Sequence, residues 1–115
     1  MKIVINACYG GFRLSDEMLK KLGTDEAFTH DRTDPKLIEL VEAMPNVKRN
    51  DGYGFIQRTD LKVITIPDDI TDWTLIIYDG LERIIFAQNG KLYEAYYLHY
   101  NGGQEIMPIG GEAIY

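Results

Sequence analysis

The sequence predicts an α+β fold: a mainly antiparallel sheet with two helices packed on one face, in the order β-α-α-β-β-β-β. Three observations predict it. The chain opens on a β-branched apolar run, KIVIN. Its next third carries two helix starts with recognisable caps, and its second half carries apolar runs broken by Asp79-Gly80 and Asn89-Gly90. Those dipeptides supply the positive φ that two-residue hairpin turns require. Strands joined by hairpins pair antiparallel, whereas a doubly wound parallel sheet needs helical crossovers between them.

Taken in order, residues 2–6 (KIVIN) are apolar on both alternations and predict a strand covered on both faces or a central one. In LSDEMLKKLG, Ser15 is a natural N-cap, Asp16 and Glu17 complement the helix dipole, and Gly23 suits the left-handed residue that closes a helix. TDEAFTHDRT is polar and predicts a loop with a brief extended piece near Phe28. In TDPKLIELVEAMP, Asp34 caps, Pro35 takes the favoured first helical position, and Leu37, Leu40, Val41 and Met44 recur at helical spacing until Pro45 and Asn46 stop the helix. The glycine-bearing basic stretch from Lys48 to Asp60 predicts a loop or ragged hairpin.

LKVITIPDD, from Leu61, predicts a strand ended by Pro67 and an acidic turn. Residues 73–100 then predict a three-stranded antiparallel meander. The last fifteen residues contain two Gly-Gly pairs and a proline, which suits an extended arm or a short extra strand. One α+β domain is expected over residues 1–100 and a C-terminal arm over 101–115, since 115 residues can bury roughly 65% of the unfolded chain's surface around one core.

Composition excludes several classes. No apolar run approaches the roughly 18 residues that cross a bilayer, and the first residues lack a signal peptide's sustained apolar stretch, so a cytoplasmic protein is expected. Cys8 is the single cysteine, which rules out an intramolecular disulfide and a four-cysteine zinc site; no metal and no cofactor are expected. A net charge of −6 argues against generic nucleic-acid binding. Residues 1–60 hold nine basic and ten acidic side chains, and residues 61–115 hold three and eight, so an anion site belongs to the first half.

The stretch CYGGFRLSD is the first candidate for such a site. Gly10 and Gly11 let backbone N–H groups approach a ligand, Tyr9 offers a ring, Arg13 would clamp a phosphate or carboxylate, and Arg32 at the second helix start would be a further contact. Neither GxxxxGK[ST] nor GxGxxG is present, and a plain strand-to-helix corner with Tyr9 and Phe12 on the core accounts for the same residues. Arg32 also has the simpler role of a local ion pair beside the Asp34 cap. KRNDGYGFIQR joins Arg58 to Tyr53 and Phe55, the mixture on which a base stacks while guanidinium groups meet phosphate. A solvated hairpin with inward aromatics is the competing account.

Other chemistry is weaker. Cys8 as a nucleophile has no neighbouring base in the sequence, so no catalytic residue is assigned. His99 suits a packed strand and His30 a solvated loop. Asp68, Asp69 and Asp72 match no calcium-loop spacing. Tyr93 and Tyr97 alternate with Tyr96 and Tyr100 on opposite faces of one strand, a composition suited to an interface, and a homo-oligomer is expected.

The ordered set KIVINACYGGFRLSDE, DRTDPKLIELVE, LKVITIPDDI and YDGLERI resembles a widespread family of small, uncharacterised bacteriophage and prophage proteins. The resemblance covers residues 1–86 and implies a phage context within a host bacterial cell; it implies no activity. Two function classes follow as expectations. One is a non-catalytic binding protein that counters host defence by sequestering a small anionic or nucleotide-type signal through Tyr9, Gly10, Gly11, Arg13, Arg32, Tyr53, Phe55 and Arg58. The other is a protein–protein inhibitor or adaptor acting on a host protein through the acidic, Tyr-rich C-terminal half. A small hydrolase ranks behind both, and no membrane partner is expected.

Overall fold

The computed structural model describes residues 1–43, 60–98 and 102–109. It contains strand β1 (Lys2–Asn6), helices α1 (Asp16–Leu22) and α2 (Pro35–Ala43), and strands β2 (Leu61–Thr65), β3 (Trp73–Tyr78), β4 (Leu81–Gln88), β5 (Lys91–Leu98) and β6 (Gly103–Pro108). The α+β class and the element order match the sequence expectation, and the segment expected as an arm or short strand pairs as β6 along β5. The loop before α2 contains no strand at Phe28, which is exposed. The expected helix stop at Pro45 and the loop or hairpin from Lys48 onward lie outside the described residues.

The local signals act as their chemistry dictates. Ser15 Oγ accepts the Met18 N–H at 3.2 Å, and Gly23 closes α1 at φ 70°. Asp34 Oδ1 accepts the Lys36 N–H at 3.0 Å ahead of Pro35. Asp79-Gly80 and Asn89-Gly90 turn with φ of 53° and 87°, and of 54° and 75°, positive at both central residues as the tightest hairpins need.

Strand pairing departs from a single sheet. β1 and β2 form an antiparallel two-stranded ribbon, and β3-β4-β5-β6 form a separate four-stranded antiparallel meander. The ribbon is the middle layer of three. Its period-two alternation sends Ile3, Ile5, Ile64 and Ile66 toward Ile84, Phe86 and Ala95 of the meander, while Val4 and Leu61 meet Leu14, Met18, Leu37 and Val41 on the helix side. The two helices therefore cover the ribbon, and the meander covers its other face. A two-stranded ribbon alone has too little surface to be stable, and burial on both faces supplies what pairing cannot.

Side chains tie the layers together. Phe86 and Tyr93 stack at 5.4 Å between ring centroids, and Lys62 of β2 lies 5.1 Å from the Tyr97 ring. Gln104 of β6 accepts the Thr65 N–H at 2.6 Å and donates to the Thr65 carbonyl at 2.7 Å, so one side-chain amide imitates a strand neighbour for the end of β2.

Candidate functional site

The corner after β1 is the meeting point of the sequence motifs. Asn6, fully buried at the end of β1, is the hub. Its Nδ2 donates to the carbonyls of Cys8 at 2.9 Å and Gly80 at 2.8 Å, and its Oδ1 accepts the Asp60 N–H at 2.9 Å. Its own N–H donates to Glu82 Oε1 at 2.7 Å. One amide side chain thus joins the first corner, the start of β2 and the β3–β4 turn.

Glu82 is the second buried polar side chain here, at 3% exposure. Arg32 grips it through Nη1 to Oε1 at 2.5 Å and Nη2 to Oε2 at 3.0 Å, the planar fork that suits a carboxylate. The same guanidinium lies 3.6 Å from the centroid of the Phe12 ring and donates to the Val4 carbonyl at 3.3 Å. Val4 in turn donates its N–H to the Arg32 carbonyl at 2.8 Å. Buried charges persist when their polar atoms are paired, and here both carboxylate oxygens have donors.

The glycine of the β3–β4 turn explains the close approach. A Cβ on Gly80 would stand 2.5 Å from Gly11 N and 2.6 Å from the Tyr9 carbonyl, so the YDG turn lies directly against the CYGG backbone. Only a residue without a side chain permits that contact. Gly11 itself turns with φ 86°.

These contacts locate each expected site residue. Tyr9 is exposed, Gly10 is exposed, and Arg13 lies 5.2 Å from the Phe28 ring. Arg32 is engaged by Glu82 of β4, fifty residues away, and not in the local ion pair expected for it beside the Asp34 cap. Asp34 pairs instead with His30, 2.7 Å between Nε2 and Oδ2, which makes His30 a partly buried cap partner rather than a solvated loop residue. That hydrogen bond, helped by the Lys36 N–H, holds the Asp34 carboxyl below the usual carboxylate range. Asp31 is likewise lowered, by hydrogen bonds from the backbone and hydroxyl of Thr33. Tyr53, Phe55 and Arg58 lie outside the described residues, as do His99 and Tyr100.

The first turn of α1 carries Asp16 and Glu17, whose charge opposes the attraction of its dipole for an anion. With Arg32 committed, Tyr9, Gly10 and Gly11 lie at the corner, while Arg13 packs against the Phe28 ring. Among the described residues no group of three or more His, Cys, Asp or Glu side chains could hold a metal ion.

A different surface stands out. Alternation sends Glu82, Ile84, Phe86, Tyr93, Ala95 and Tyr97 inward, and leaves Ile76, Tyr78, Ile85, Leu92, Tyr96 and Met107 on the outer face of the meander. Tyr78 is 69% exposed, Leu92 52% and Met107 51%, whereas Leu14 and Met18 of the core are 0% and 2%. Tyr96 donates its hydroxyl hydrogen to Met107 Sδ at 3.0 Å, and Arg83 pairs with Glu94 at 2.6 Å across the same face. Where β4 starts, a cavity of about 380 Å³ opens among Leu81, Glu82, Tyr96, Tyr97 and Met107. Tyrosine alternation in residues 93–97 carried this face in the sequence; the covering of the opposite face by the ribbon had no sequence signal.

No protein-family model, curated protein or solved structure matches the chain. The α+β architecture and the absence, among the described residues, of a helix long and apolar enough to cross a membrane are the class-level facts that the structure supplies.

Proposed function

We propose that the chain is a non-catalytic protein-binding module, an inhibitor or adaptor that docks on a host protein through the outer face of the meander. The observation that carries this reading is the exposure of Tyr78, Leu92 and Met107 on one sheet face while the ribbon and both helices occupy the other side. Aromatic and methionine side chains concentrate at interface centres, and the half-open cavity beside Tyr96 suits an anchoring side chain of the partner. Glu94 and Glu105 lie on this face against Arg83, within a chain of net charge −6, so the fitting partner presents an apolar centre with a basic rim.

The nucleotide-sequestering alternative draws less support, because Arg32 spends its guanidinium on Glu82. The experiment compares Leu92→Lys, Met107→Lys and Arg13→Ala with the parent chain, each tagged and purified from host bacteria, by native mass spectrometry. Retention of a host protein by the parent and Arg13→Ala, with loss in both face variants, is the expected result. A retained small molecule that disappears in Arg13→Ala, or a partner indifferent to the face variants, overturns the reading.

A further inference from the structure

The two edges of the meander are built differently. β6, at one edge, has the sequence GQEIMP: it starts on glycine, carries Glu105 and ends on Pro108, and Gln104 bends back to β2. Charge and proline are the usual means of stopping an edge strand from recruiting another chain. β3, at the other edge, has the sequence WTLIIY, with no charge, proline or glycine in six residues. Among the described residues its one strand neighbour is β4. Ile77 and Tyr78 are 60% and 69% exposed at its end. Alternate residues of such a strand direct their N–H and C=O groups away from β4, toward whatever lies beside the edge.

We infer that β3 pairs antiparallel with β3 of a second copy, joining two four-stranded meanders into one eight-stranded sheet. The occupant follows from charge and symmetry. A chain of net charge −6 repels its own copies, and β3 is a six-residue stretch on which two copies meet without opposing carboxylates. A two-fold axis perpendicular to the sheet keeps inner faces with inner faces, so residues of like parity pair. With the axis at Ile76, Ile76 meets Ile76, Thr74 meets Tyr78 and Leu75 meets Ile77; every pair is apolar, aromatic or Thr, the combinations that stabilise neighbouring strands. With that register residues 74–78 of the two copies overlap, and Leu75 and Ile77, which turn their N–H and C=O groups away from β4, supply on the order of four backbone hydrogen bonds. The pairing uses the edge of β3 and leaves Leu92, Tyr96 and Met107 of the outer face open; Ile76 and Tyr78 lie both on that face and in the paired strand, and the pairing does not depend on the docking proposal. This interface also differs from the tyrosine-rich strand expected to associate, because β5 lies between β4 and β6 and has no open edge.

Light scattering coupled to size exclusion, across a concentration series, tests the inference on the full chain. The expected mass is twice the 13.2 kDa of one chain for the parent and for Leu92→Lys on the outer face, and that of a single chain for Thr74→Lys/Ile77→Lys with an unchanged far-ultraviolet spectrum. A parent of single-chain mass, a double variant that still dimerises, or a Leu92→Lys chain that dissociates each overturns it. Should the double variant not fold, amide hydrogen exchange of the parent decides: protection of residues 73–78 that rises with concentration upholds the pairing, and concentration-independent exchange there refutes it.

Discussion

Arg32 and Glu82, fifty residues apart, hold each other through two guanidinium–carboxylate hydrogen bonds of 2.5 and 3.0 Å and so clamp the chain before α2 to the first turn of the meander. The pair joins the helix layer to the four-stranded layer past the end of the ribbon. Glu82→Ala leaves the guanidinium without its partner and Asn6 N–H without its acceptor, and is expected to cost about 3–5 kcal/mol in urea unfolding. Arg32→Met/Glu82→Leu should regain part of that loss yet remain below the parent by roughly 1–3 kcal/mol, because the buried Asn6 N–H still lacks an acceptor. Equal losses in the single and double variants would count against the coupling.

Gly80 and Gly90 occupy equivalent hairpin positions, with φ of 87° and 75°, but differ in what surrounds them. Gly90→Ala meets nothing within 4 Å and should cost only the backbone penalty of a left-handed residue, about 1–2 kcal/mol. Gly80→Ala drives a methyl group into Gly11 N and the Tyr9 carbonyl, so it should be clearly the more damaging of the two. Thermal melts of the two variants side by side make the comparison.

Asn6→Ala removes the side chain that satisfies Cys8, Gly80 and Asp60 backbone groups in one place. Each buried group left unpaired costs about 1–3 kcal/mol, so a loss of several kcal/mol is expected, large against the stability of a small domain. Amide exchange at Asp60 should accelerate more than at Ile64, which lies deep in the ribbon. Equal acceleration at both would mean that Asn6 acts on the fold as a whole.

Asp34 has a lowered pKa in the folded protein, chiefly from its hydrogen bond with His30. A depressed carboxyl contributes stability that is complete above the unfolded pKa, near 3.9, and is lost as pH falls through the lower folded value. Asp34→Asn, which keeps a capping side chain, should therefore lower stability at neutral pH and converge with the parent at the acid end, so that its acid limb is flatter. Stability curves from pH 2 to 7 give the answer; an unchanged acid limb would exclude the His30 pair as its source.

Local chemistry was legible because its partners are close in the chain. Ser15 and Gly23 bound α1, Asp34 and Pro35 start α2, and Asp79-Gly80 and Asn89-Gly90 turn the meander through interactions spanning a few residues, which hold in any tertiary setting. The alternation of residues 93–97 even sorted Tyr93 and Tyr97 from Tyr96 before the faces had identities. β1 read as covered on both faces because Ile3, Val4 and Ile5 leave neither side polar, and both sides are indeed occupied.

The sequence by itself determined which segments become strands, which become helices and where each turns, since these depend on φ preferences, capping groups and apolar spacing. Only the tertiary structure decided that the strands divide into a ribbon and a meander, that Arg32 reaches Glu82 and not Asp34, and that Gly80 lies against Gly11. Those outcomes depend on which distant surfaces bury one another. Apolar faces are interchangeable in sequence, and a buried charge takes whichever partner the packed layers bring within hydrogen-bond reach.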